Sequence, residues 1–148
     1  MKKVEMKKVI VLLLTVATLV SCMAIYTSAD DYEIVPYYSN IVRASTHFNI
    51  TSSGLARAGV TYYGYDNEIS YVKCEIYLEK RFLGLFWNRV DIGVTDDVWI
   101  DYSYTVDGSI FHEIQLSDTG TYRAVFNVTI YGKSGANDVI EEKMEYKY

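Results

Sequence analysis

Between Ser70 and Lys80 (SYVKCEIYLEK) apolar and polar side chains alternate without a break. Val72, Cys74, Ile76 and Leu78 face one way, and Lys73, Glu75, Tyr77 and Glu79 face the other. A helix would scatter both sets around its circumference, whereas a strand gives each set a face of its own. The same period of two recurs along the chain. Thr46 to Thr51 sets Phe48 and Ile50 together, and Leu55 to Tyr63 sets Ala56, Ala58, Val60 and Tyr62 opposite Arg57 and Thr61. Phe86 to Val94 carries Trp87, Val90 and Ile92, with a break in alternation that predicts a bulge or a twist between Trp87 and Val90. Val98 to Val106 groups Val98, Ile100, Tyr102, Tyr104 and Val106. Thr121 to Tyr131 turns Tyr122, Ala124, Phe126, Val128 and Ile130 inward, and Val139 to Tyr148 closes the chain with Ile140, Met144 and Tyr146.

Turn signals separate these segments: Gly64-Tyr65-Asp66-Asn67, Thr95-Asp96-Asp97, Asp107-Gly108 and Lys133 to Asp138. About seven short strands with no helical pattern between them predict an all-β, antiparallel two-sheet sandwich. Asp118-Thr119-Gly120-Thr121-Tyr122 adds an immunoglobulin-like note, since it matches the Asp-x-Gly-x-Tyr turn in which a tyrosine hydroxyl bonds back to upstream backbone. Tyr122 is the structural residue of that corner. The disulfide of antibody domains has no counterpart, because Ala124 stands where its cysteine would be.

The first thirty residues follow a different rule. Lys2, Lys3, Lys7 and Lys8 precede an uncharged run from Val9 to Val20, and Thr27-Ser28-Ala29 offers a small-residue cleavage site. This is the layout of a secretory signal-peptide helix rather than of a membrane span. Two processing routes compete: release after Ala29, or lipidation of Cys22 within Leu19-Val20-Ser21-Cys22, which would tether the protein to a membrane. The expected organisation is a signal peptide over 1–29, an N-terminal arm over 30–43 and a sandwich domain over 44–148. The expected location is extracellular, or lipid-anchored on the outer face of the cell membrane.

Removal of residues 1–29 takes four lysines and one glutamate with it and changes the net charge from −5 to −8. An acidic chain of this kind argues against nucleic acid or anionic lipid as a partner. It leaves a protein or a glycan as the expected partner, a membrane only through a lipid on Cys22, and a monomer as the expected state. Only Cys74 then remains, on an apolar register where a thiol is buried and inert.

Candidate chemistry is thin. His47 and His112 stand in no metal-ligand spacing, and no nucleophile, phosphate-loop or dinucleotide pattern occurs. The expectation is therefore no catalytic, cofactor or metal residue, and no enzyme. Asp91, Asp96, Asp97 and Asp101 crowd one connection, either as an extracellular calcium site or as ordinary polar turns. Outward tyrosines, among them Tyr37, Tyr38, Tyr63, Tyr65 and Tyr77, suit a binding surface or simply a strand. The best candidate is the connection Arg81 to Trp87, where Phe82, Leu83, Leu85 and Phe86 surround one glycine in place of a polar turn. Trp87 itself is expected in the core as the central tryptophan of the sandwich.

Taken in order, Ile76-Tyr77-Leu78-Glu79-Lys80, Trp87, Tyr102 to Val106, Gly120 to Ala124 and the Glu-rich last strand resemble a group of small secreted proteins of Gram-positive bacteria whose domain has no assigned function. The resemblance implies an exported bacterial β protein and brings no activity. The expected function is a non-enzymatic extracellular or cell-surface binding module. The alternatives are a secreted antagonist or small toxin-like effector and, behind both, a hydrolase with a carboxylate site.

Overall fold

A computed structural model describes residues 38–148. The expected signal peptide, Cys22 and the arm up to residue 37 lie outside the described residues. The rest is all-β. Its strands are β1 (Ile41–Ile50), β2 (Leu55–Gly64), β3 (Ile69–Phe82), β4 (Phe86–Arg89), β5 (Trp99–Ser103), β6 (Asp107–Gln115), β7 (Thr121–Gly132) and β8 (Asn137–Lys147). They form two antiparallel sheets in a sandwich. One has the order β1-β2-β6; the other is β8-β7-β3, with β4 and β5 sharing the free edge of β3.

The core follows from the alternation. Val72, Cys74, Ile76 and Leu78 of β3 and Ala124, Phe126, Val128 and Ile130 of β7 have no exposed surface, and Ala56, Ala58, Val60 and Tyr62 of β2 meet them from the other sheet. Burying this much apolar surface is the main favourable term holding the sheets face to face.

Three expectations change. The sandwich begins at Ile41, inside the expected arm, because Ile41 is buried and paired with Gly64. Just before it, the Asp138 carboxylate accepts the N–H groups of Ser39 and Asn40, at 2.7 Å each, and latches the chain to the start of β8. Asp107-Gly108, expected as a turn, instead opens the strand β6, whose alternation Phe111 interrupts. The Phe111 ring lies on the outer face across Gly59, whose missing side chain leaves room for it. Finally, β3 and β4 pair without a register shift from Glu79–Arg89 to Phe82–Phe86, so there is no bulge at Trp87.

Candidate docking surface

β3 is the longest strand, and its last residues outrun the sheet. Pairing with β7 stops at Lys80–Tyr122, whereas pairing with β4 continues through Arg81–Trp87 to Phe82–Phe86. The end of the β3–β4 hairpin therefore stands clear of its neighbours. The Leu85 N–H donates to the Phe82 carbonyl at 3.1 Å, closing a turn centred on Leu83 and Gly84, with Leu85 an extra residue before the Phe82–Phe86 pair. Leu83 (φ 50°) and Gly84 (φ 70°) both occupy the left-handed region, which is the type I′ pattern that suits the twist of a hairpin. That pattern favours Asn-Gly, and a leucine at its first position carries backbone strain of about 1–2 kcal/mol. The Arg81 Nε–H donates to the Gly84 carbonyl at 3.0 Å and braces the turn.

All four apolar residues singled out in the sequence are brought together at this tip and face solvent: Phe82 is 55% exposed, Leu83 and Leu85 75%, and Phe86 61%.

Trp87 is not the core tryptophan. Opposite Arg81 in the register, it shares the outer face with Glu79 and Arg81, while Leu78 on the other register is buried. It is half-buried on that outer face, with the Arg123 guanidinium 4.2 Å and that of Arg81 5.5 Å from its ring centroid. Arg123 in turn pairs with Glu79. The core position belongs to Trp99, which is buried on the inner register of β5 opposite Ile76 and stacks on His112 at 4.8 Å. The neck below the tip is thus ringed by Trp87 and by cations. Arg89 lies 3.7 Å over the Tyr77 ring, and Lys80 lies 5.4 Å from the Tyr122 ring and 3.3 Å from Asp118 Oδ2.

Tyr122 stands at the base of the same end. Its buried hydroxyl donates to the Asp118 carbonyl at 2.7 Å, the backward bond of the corner. Gly120, at φ 155°, makes the bend, and its N–H and C=O exchange bonds with Tyr148 at 3.0 and 2.8 Å.

The remaining candidates fall elsewhere. The Asp91 carboxylate accepts the Gly93 N–H at 2.9 Å, and that of Asp97 accepts the Ile92 N–H at 3.1 Å, so both shape their own loop. Asp101 faces His112 Nε2 at 2.5 Å across the seam between the sheets. Among the described residues, no three His, Cys, Asp or Glu side chains converge on a metal position. Cys74 has no exposed surface, and burial first, then the charges of Asp101 and Glu75, pushes its thiol pKa up to about 12. His47 stacks on Phe111 at 5.8 Å on the outer face of the three-stranded sheet.

Tyr63, Tyr65 and Tyr77 are scattered, and Tyr37 lies outside the described residues. The tyrosines that do cluster are others, with no signal in the alternation of any single strand. Tyr71 stacks on Tyr131 at 4.2 Å and stands 6.3 and 6.1 Å from Tyr102 and Tyr104 on the outer face of the five-stranded sheet. Alternation sets Tyr102 and Tyr104 on one face with Ile100, but which side that face takes depends on pairing with β3.

No protein-family model matches this chain, and comparison with curated proteins gives no match.

Proposed function

We propose that this chain is a non-enzymatic binding module, exported from a bacterial cell, that engages its target through the β3–β4 hairpin. The observation that supports it is the tip itself: four large apolar side chains held in solvent on a braced turn, with a leucine in a strained position that a polar residue would fill more easily. Aromatic and large aliphatic anchors on a rigid support supply most of the energy in protein recognition. We read the sandwich as immunoglobulin-like on the strength of the Tyr122 corner, with its end loops and hairpins as the variable, functional parts.

The test is depletion of the purified protein from solution by washed Gram-positive cells, comparing the natural chain with the double variant Phe82→Ser and Phe86→Ser. The expected result is loss of depletion with an unchanged melting curve. Equal depletion by a folded double variant would remove the hairpin from the function.

A further inference from the structure

We infer that the β3–β4 hairpin is a membrane-inserting finger that takes an anionic lipid surface; this rests on the hairpin being the docking element. From Lys80 to Arg89 the sequence KRFLGLFWNR carries three cations and no acid, in a chain whose net charge is −5. Among the described residues neither Arg81 nor Arg89 pairs with a carboxylate, and Lys80 is shared only with the exposed Asp118. Exposed charges more than about 8 Å away are largely screened at physiological salt, so the surface meets the charge of the finger and its near neighbours rather than that of the whole chain. The acids that do stand beside the finger are engaged: Glu79, opposite Arg89, pairs with Arg123, and Asp118 pairs with Lys80, which leaves Arg81 as the cation nearest the tip without a carboxylate.

The order of groups along the finger matches the layers of a bilayer. Phe82, Leu83, Leu85 and Phe86 form the outermost layer. Trp87 and Arg81 come next, then Lys80 opposite Asn88, then Arg89 opposite Glu79, whose charge is taken up by Arg123. Tryptophan and arginine are the side chains that settle at headgroup level, below an apolar group that enters the acyl boundary. The finger passes the last β7 partner of β3 by two residues, roughly 7 Å of backbone. Shallow insertion of amphipathic elements needs about 5–10 Å.

Other occupants fit less well. A second copy docked tip to tip would bring two sets of three cations together, and one hairpin end is far smaller than the roughly 800 Å² per partner of a stable interface. A bilayer needs no shape complementarity and supplies the opposite charge.

The experiment uses the full chain with phosphatidylcholine vesicles, with and without phosphatidylglycerol, whose acyl chains carry bromine as a quencher. The apolar segment near the N-terminus is common to every variant, so total binding is not the readout. The readout is Trp87 fluorescence, assigned by its loss in Trp87→Phe, with the buried Trp99 as internal reference. Trp87 is expected to shift to the blue and be quenched on phosphatidylglycerol vesicles. Arg81→Gln and Arg89→Gln should each weaken the effect by roughly fivefold, and Phe82→Ser with Phe86→Ser by more than about tenfold. Added salt should reverse it. An unquenched Trp87 on phosphatidylglycerol vesicles overturns the inference. If the double variant then still fails to bind cells, the hairpin docks a protein or glycan and the broader reading stands; if it binds them, both fall.

Discussion

Replacing Asp138 by Ala tests how the chain entering β1 is held. The Asp138 side chain is nearly buried, and its two oxygens accept the N–H groups of Ser39 and Asn40, each at 2.7 Å. Asn40 has no exposed surface; its Nδ2 donates to the Ala136 carbonyl at 3.0 Å and its backbone carbonyl accepts the Tyr65 N–H at 2.9 Å. One carboxylate therefore ties the start of the sandwich to the β7–β8 hairpin, and through Asn40 to the β2–β3 turn. In Asp138→Ala the Asn40 N–H loses its acceptor where water cannot replace it, a penalty of about 1–3 kcal/mol. The Ser39 N–H belongs to an exposed residue and recovers water, so it loses only the net value of a bond to a charged group, at the lower end of about 1.5–3 kcal/mol. The sum is about 3 kcal/mol. In urea unfolding, with a slope of about 1.5 kcal/mol/M for a domain of this size, the midpoint should fall by about 2 M with the slope unchanged. Asp138→Asn keeps one accepting oxygen and should lose about half as much. Asp66→Ala, which removes the same charge from an exposed turn, should leave the midpoint in place. A shift under about 0.5 M for Asp138→Ala, on the same slope scale, would refute the reasoning.

Leu83→Asn relieves the left-handed leucine and should stabilise the domain by about 1 kcal/mol in thermal unfolding while weakening any hairpin-dependent binding. Tyr122→Phe strips the hydroxyl from the corner and leaves the Asp118 carbonyl without that donor, which should lower stability by about 1–2 kcal/mol in the same assay. Cys74 should resist a thiol reagent in the native state at neutral pH and react only as fast as the sandwich opens. Its pH dependence has a definite sign. The folded thiol keeps its proton up to about 12 against 9.0 unfolded, so its contribution is complete below pH 9 and is lost as the pH rises through 12. Cys74→Ala should flatten the fall in stability over that window relative to the natural chain.

Phe86 and Trp87 show where a one-dimensional pattern stops. Two adjacent large apolar residues are compatible with either alternation, and placing Trp87 on one face with Val90 and Ile92 needed a bulge or a twist, of which the continuous register excludes the bulge. Pairing of Arg81 with Trp87 settles the side, and continuous alternation then carries Val90 and Ile92 inward without Trp87. β6 was hidden for a related reason, since Phe111 is apolar and outward, and its partner is a glycine on a strand far away in sequence. The hairpin tip was half readable. Its four apolar residues stand out in the chain, but their exposure depends on β7 beginning too late to cover them.

What the order of residues sets on its own is therefore local: period two along β3 and β7, the glycine and tyrosine of the Tyr122 corner, and the concentration of cations and apolar groups between Lys80 and Arg89. These follow from stereochemistry within a few residues, where alternate side chains must take opposite faces. Which face is inside, which tryptophan fills the core, where four tyrosines meet and how far a hairpin overhangs all depend on register between strands distant in sequence. A shift of one residue in that register would exchange every face, and the folded chain fixes it by burying one set of side chains and leaving the other in water.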